Sequence, residues 1–127
     1  MLPQCHRLRR ATDLERVRQL GRSWRHPLAI LLVQANAEEV SRFAFVASRR
    51  VGKATSRNRA KRLLREVVRR HLDEIEAGWD VVLIAREQTA AVSYAEVETA
   101  VLALLSRAGL YRSPQATSRT NDVASGV

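Results

Sequence analysis

The sequence predicts an α/β (α+β) two-layer sandwich: helices packed on a four-stranded, mostly antiparallel sheet in the order α-β-β-β-α-β-α. Three observations carry this. "RFAFVAS" (42–48) alternates Phe43, Phe45 and Ala47 against Arg42, Ala44 and Val46, the period of a strand. "WDVVLIARE" (79–87) is a continuous apolar run of strand length, the pattern of a strand buried on both faces. Apolar residues at helical spacing mark three further segments, near 11–21, 57–75 and 93–110.

Taken in order, residues 1–11 are basic and predicted to be irregular. "ATDLERVRQLG" reads as a helix capped by Thr12 or Asp13, with Leu14, Val17 and Leu20 on one face and Gly21 as its stop. "RSWRHPLAILLVQAN" is extended and broken near His26-Pro27, so a short strand runs into a longer one. "AEEV" is a turn before the alternating strand, and Gly52 closes a loop after it. Thr55 or Ser56 is the expected cap of the helix over 57–75. Ser93 and Glu96 stand at capping-box spacing before "SYAEVETAVLALLSRAGL". The segment 113–127, "SPQATSRTNDVASGV", is short of large apolar residues and is expected to be disordered, leaving 1–112 as a single domain.

The bulk numbers narrow the function. A chain of 127 residues can bury a core without disulfides, and its single cysteine, Cys5, excludes an internal disulfide or a multi-cysteine zinc site. No apolar signal-peptide core or bilayer-length run is visible, which predicts a soluble cytoplasmic protein with no membrane partner. The net charge of +9 is concentrated in one window: residues 49–70 hold ten Arg/Lys and one acid, and the remainder holds twelve of each. A preference for Arg over Lys could reflect composition alone. It would not remove acids from one window while leaving them balanced elsewhere. A local basic excess is the footprint of a polyanion.

On a helical projection, Ala60, Leu63, Leu64, Val67, Val68, His71 and Leu72 share one arc. Asn58, Arg62, Arg65 and Arg69 lie opposite, with Lys61 on one border and Arg59 and Arg70 on the other. One helix thus has a core face and a cationic face. Arg57, Lys61, Arg65 and Arg69 form an i, i+4 ladder of like charge, a repulsive arrangement that a phosphate backbone would relieve. Arginine suits that task because its planar fork can grip a phosphate with two bonds and stack on a base. Nothing before the segment reads as the partner helix of a helix-turn-helix, and the preceding strands favour RNA over DNA. A basic amphipathic helix lying on anionic lipid is disfavoured, since its apolar face lacks Trp and Phe and is needed for the core.

"RRVGKATSRNRAKRLLRE" (49–66) closely resembles the RNR motif of the bacterial ribonuclease P protein subunit. The flanks "HRLRRATDLERVRQLGRS", "RFAFVASRRVGKA", "GWDVVLIAR" and "SYAEVETAVLALLSRAG" resemble the family's other elements in order, over residues 6–110. The resemblance implies a left-handed βαβ crossover carrying the basic helix. It further implies a role in removing the 5′ leader of precursor tRNA, with Mg²⁺-dependent hydrolysis carried out by the RNA subunit, which holds most of the metal. The protein would be monomeric in a 1:1 particle with ribonuclease P RNA. Carried over by position, the RNA-subunit contacts are Arg49, Arg50, Lys53, Arg57, Asn58, Arg59, Lys61, Arg62, Arg65 and Arg69. The leader contacts are Arg9, Arg10, Leu14, Arg18, Leu32, Phe43 and Phe45. The family commonly has aromatics at the positions of Leu14 and Arg18 and a Tyr near Leu32, so base stacking here should be weaker and charge more important. The alternative is a ribosomal-type or general structured-RNA binder with no part in cleavage.

No constellation of nucleophile, base or metal ligands is legible. His6 and His26 read as surface polar residues, and His71 as a packed or capping residue near Asp73 and Glu74. The "EVE" at 96–98 reads as helix surface, and Trp24 and Trp79 as strand-edge or core anchors. No protein-borne catalytic or metal-binding residue is therefore expected.

Overall fold

The chain closes around a sheet whose last strand in sequence is internal. In a computed structural model that describes residues 4–111, the strands are β1 (Arg22–His26), β2 (Ala29–Ala35), β3 (Arg42–Ala47) and β4 (Trp79–Ala85), in spatial order β1-β2-β4-β3. β1 and β2 form an antiparallel hairpin, β2 pairs antiparallel with β4, and β3 pairs parallel with β4. A parallel neighbour needs a long crossover, and α2 (Ala54–Arg70) supplies it between β3 and β4. Its central position explains why β4 reads as an unbroken apolar run: Val81, Val82 and Leu83 are all fully buried.

Alternation divides the sheet into two faces. Leu31, Val33, Phe43, Val81 and Leu83 pack with Ala60, Leu64, Val67 and Val68 of α2 and with Val97, Val101, Leu104 and Leu105 of α3 (Tyr94–Arg107). On the other face Ala44 and Val82 pack with Leu8 and Val17, and Leu32, Val46 and Ile84 are partly buried beside Leu14. Among the described residues, that second face is covered by α1 (Ala11–Leu20) and by the segment from the Gln4–His6 turn to Leu8. The predicted sandwich thus carries a small third layer. Each buried Leu or Val contributes about 1.5–3 kcal/mol, so most of the core energy lies on the α2–α3 side.

Several boundaries differ from the sequence reading. Leu20, grouped by periodicity with Leu14 and Val17, is 67% exposed at the last position of α1. Asp13 does not cap α1; it is buried and pairs with Arg16 and Arg42. Gly21 ends that helix for a steric reason, since a Cβ there would collide with the Val17 carbonyl and lie 2.7 Å from the Val33 carbonyl. α2 starts at Ala54, with Lys53 extended at the N-cap, so Thr55 and Ser56 lie in its first turn. Gly52 permits the preceding turn through φ 127°, a region that L side chains rarely adopt. The helix stops at Arg70, well short of 75, where His71 turns the chain into a short 3-10 segment, Leu72–Glu74. The capping box of Ser93 and Glu96 is present. Residues 4–8 are not irregular: Gln4–His6 is a 3-10 turn, and Arg7 bridges Phe43 at the edge of β3. The segment 113–127, expected to be disordered, lies outside the described residues.

Candidate nucleic-acid interface

The N-terminal part of α2 and the turn before it concentrate cations without anions. Arg49, Arg50 and Lys53 are exposed on the Arg49–Val51 3-10 turn and the loop into α2. Arg59 and Arg62 are exposed on the helix, as is Asn58, while Arg57, Lys61 and Arg65 are half-buried. None of these cations forms an ion pair among the described residues. Three are instead fixed by uncharged partners. Arg57 Nη1 donates to the Gly52 carbonyl at 2.9 Å, and Arg59 Nε donates to the Ala90 carbonyl at 2.9 Å. The Arg65 guanidinium lies 5.4 Å from the Phe45 ring centroid, within cation–π range. Such contacts orient the side chains and leave their charge uncompensated.

The C-terminal part of α2 is organised differently. Glu66 accepts from Arg69 Nε at 2.9 Å and Nη2 at 2.6 Å, and from Arg70 Nε at 2.9 Å. The Arg69 and Arg70 bonds hold its carboxyl at a pKa of about 2, well below the ordinary carboxylate value. Arg70 also lies over Tyr94 at 4.7 Å. His71 sits between two carboxylates, Nδ1 2.6 Å from Glu74 and Nε2 2.7 Å from Glu98. Burial opposes its charged form, but the hydrogen bonds to Glu98 and Glu74 prevail and raise its pKa. The helix C-terminus favours the same imidazolium. "EVE" is thus more than helix surface, because Glu96 caps α3 and Glu98 ties α3 to the end of α2.

Of the seven residues assigned to the leader, Leu14, Phe43 and Phe45 line one groove that runs around the β3 edge, while Leu32 lies on the α1 face outside that lining. Leu14 and Leu32 meet on the α1 face, beside Val46 and Ile84, which the sequence reading did not single out. Arg18 follows Leu14 by one helical turn and is exposed, as are Arg9 and Arg10. Phe43 and Phe45 lie on the opposite face by strand parity, Phe43 only 2% exposed in the main core and Phe45 half-buried beneath Arg65. An alternating strand cannot present Phe45 and Val46 to the same side. Strand alternation on β3 and β4 was the signal that could have identified Val46 and Ile84.

His6 Nδ1 lies 2.8 Å from the Ser41 carbonyl, and His26 Nδ1 accepts from the Leu28 N–H at 3.1 Å, both local structural roles. Trp24 and Trp79 are half-buried against the main core. Among the described residues no group of three or more His, Cys, Asp or Glu is placed to hold a metal ion, and no helix is long and apolar enough to cross a membrane.

The family model described as Ribonuclease P matches residues 2–109. The chain belongs to the ribonuclease P protein family. A ribonuclease P protein component of Herpetosiphon aurantiacus is 36% identical over 93% of this chain and 96% of its own length. One from Dehalococcoides mccartyi is 41% identical over 84% and 88%. Among solved structures, the RNase P protein from Thermotoga maritima superposes with a TM-score of 0.73 at 34% identity, covering 80% of this chain and 96% of that one. The Staphylococcus aureus RNase P protein, at 22% identity and TM-score 0.77, has the same fold over 84% of this chain and 98% of its own. Membership in the ribonuclease P family makes the chain the protein subunit of an endoribonuclease of tRNA 5′ maturation, whose partner is the ribonuclease P RNA.

Proposed function

We propose that this chain binds the ribonuclease P RNA through Arg49, Arg50, Lys53, Arg57, Asn58, Arg59, Lys61, Arg62 and Arg65, and guides the single-stranded 5′ leader of precursor tRNA over the α1 face. Leu14, Leu32, Val46 and Ile84 form an apolar floor for the leader, and Arg9, Arg10 and Arg18 supply phosphate contacts. Arg69 belongs to this surface only to the extent that Glu66 releases it. The observation that carries the reading is the run of cations from Arg49 to Arg65 with no carboxylate partner among the described residues. Charge left unpaired in a folded protein is repulsive, and phosphates relieve it while releasing counterions.

In this reading the protein lowers the electrostatic cost of bringing two RNAs together. The Mg²⁺ that serves hydrolysis is held mainly between RNA phosphates. The protein acts as one copy per RNA subunit, in the cytoplasm. Reconstitution with a bacterial ribonuclease P RNA tests it. At low Mg²⁺ the protein should restore cleavage of precursor tRNA that the RNA alone performs poorly. No stimulation with cognate RNA would contradict the proposal.

A further inference from the structure

β3 is an outer strand of the sheet, and part of its edge is open. The Phe43 carbonyl accepts from the Leu8 N–H at 2.8 Å, so the backbone groups of Phe43 point away from β4. By alternation those of Phe45 and Ala47 point the same way. The N-terminal segment covers the first position through the Arg7–Phe43 bridge. The other two have no partner strand on that side among the described residues. Uncovered edges invite other chains and are commonly blocked. This one opens into a groove of about 870 Å³, inside the range of about 300–1,000 Å³ usual for ligand sites.

Phe45, Leu63 and Tyr94 give the groove apolar surface, and Arg59, Arg62 and Arg65 give it cations. The acid on its rim, Glu66, is already bound by Arg69 and Arg70. Leu14 and Val46 also border it, so the groove joins the cationic face of α2 to the α1 face around the end of the sheet. We propose that the groove takes one unpaired nucleotide of a bound RNA. The base rests against Phe45 and the Arg65 guanidinium, its edge meets the outward N–H and C=O groups of Phe45, and its phosphate lies on Arg62. RNA is favoured over an added peptide strand because the rim is cationic and continuous with both surfaces assigned to RNA. Guanidinium planes and aromatic rings are the usual partners of unstacked bases. This inference rests on the proposed function above.

The test titrates isotope-labelled protein with a short single-stranded oligoribonucleotide and with the same oligomer made abasic at its central position. The base-bearing oligomer should bind about tenfold tighter, as expected for one stacked base, and should move the Phe45 and Val46 amide resonances. Phe45→Leu should keep the remaining amide spectrum and lose that difference. Equal affinities for the two oligomers with wild-type protein would overturn the proposal, as would an acidic peptide moving those amides when RNA does not. Measuring ribonuclease P RNA affinity alongside separates the two readings. If Arg57→Ala with Arg62→Ala weakens that affinity while the oligomers bind alike, only the nucleotide pocket fails. If the double variant binds the RNA subunit normally, the proposed function fails first.

Discussion

The two ends of α2 use arginine in opposite ways. From Arg57 to Arg65 the guanidinium groups touch carbonyls and a ring, and no carboxylate among the described residues. From Glu66 to His71 every basic side chain meets a carboxylate, and the chain's only acid between residues 49 and 70 serves two arginines at once. The first arrangement stores like-charge repulsion that a polyanion can relieve. The second neutralises its charge internally and fastens the crossover to α3 through His71 and Glu98. A count of positive charge does not separate a binding surface from a structural one. The location of the acids does.

The largest expected effect comes from a cation that is wholly structural. Arg42 makes two 2.9 Å bonds to Asp80, which is 1% exposed, and lies 3.7 Å from Asp13. Arg42→Met should cost about 3 kcal/mol in denaturant unfolding by leaving Asp80 buried and uncompensated. It should not change the salt dependence of RNA binding, and if it did, paired and unpaired cations would not be functionally distinct.

A smaller effect, visible in its pH dependence, belongs to His71. Its folded pKa is raised above the ordinary histidine value, so its contribution is fully present below about 6.5 and is lost as pH rises through the folded pKa. Thermal unfolding of the wild type should therefore lose stability from pH 6 upward by an increment that His71→Gln lacks. Parallel curves would show that the histidine carries no charge in the folded protein. Glu66 has the opposite sign. Its folded pKa is depressed, so its contribution is present above the ordinary carboxylate value and disappears as pH falls toward about 2. Glu66→Gln should barely alter stability at neutral pH, because the group is exposed and screened. It should steepen the salt dependence of RNA binding by releasing Arg69 and Arg70, and an unchanged slope would mean those arginines cannot reach RNA even when free.

Much of the fold was legible because its signals are local. Alternation in "RFAFVAS", the apolar run of β4, and the Ser93–Glu96 box each depend on residues within a few positions of one another. The two faces of α2 were legible for the same reason: Ala60, Leu64, Val67 and Val68 are buried where helical periodicity places them. What escaped depends on distant contacts. The placement of β4 between β2 and β3, the Arg42–Asp80 pair across 38 positions and the Arg7–Phe43 bridge leave no mark on neighbouring residues. The site divides along the same line. Helical periodicity places the cations of α2 away from its core face, Arg59, Arg62, Arg69 and Arg70 exposed and Arg57, Lys61 and Arg65 half-buried, but it does not mark Glu66 as the boundary among them. The leader residues were gathered by position; strand parity sets Phe43 and Phe45 on the opposite face of the sheet from Leu32, and the groove at the β3 edge brings Leu14 beside them.

The most direct test compares two double variants in one experiment: ribonuclease P RNA affinity against salt for Arg57→Ala with Arg62→Ala, and for Arg69→Ala with Arg70→Ala. Each phosphate contact contributes about one to the log–log slope, so the first pair should lower the slope by about two and weaken binding markedly. The second pair should leave the slope close to that of the wild type. Equal losses in both would contradict the division of α2 into a binding half and a self-neutralised half.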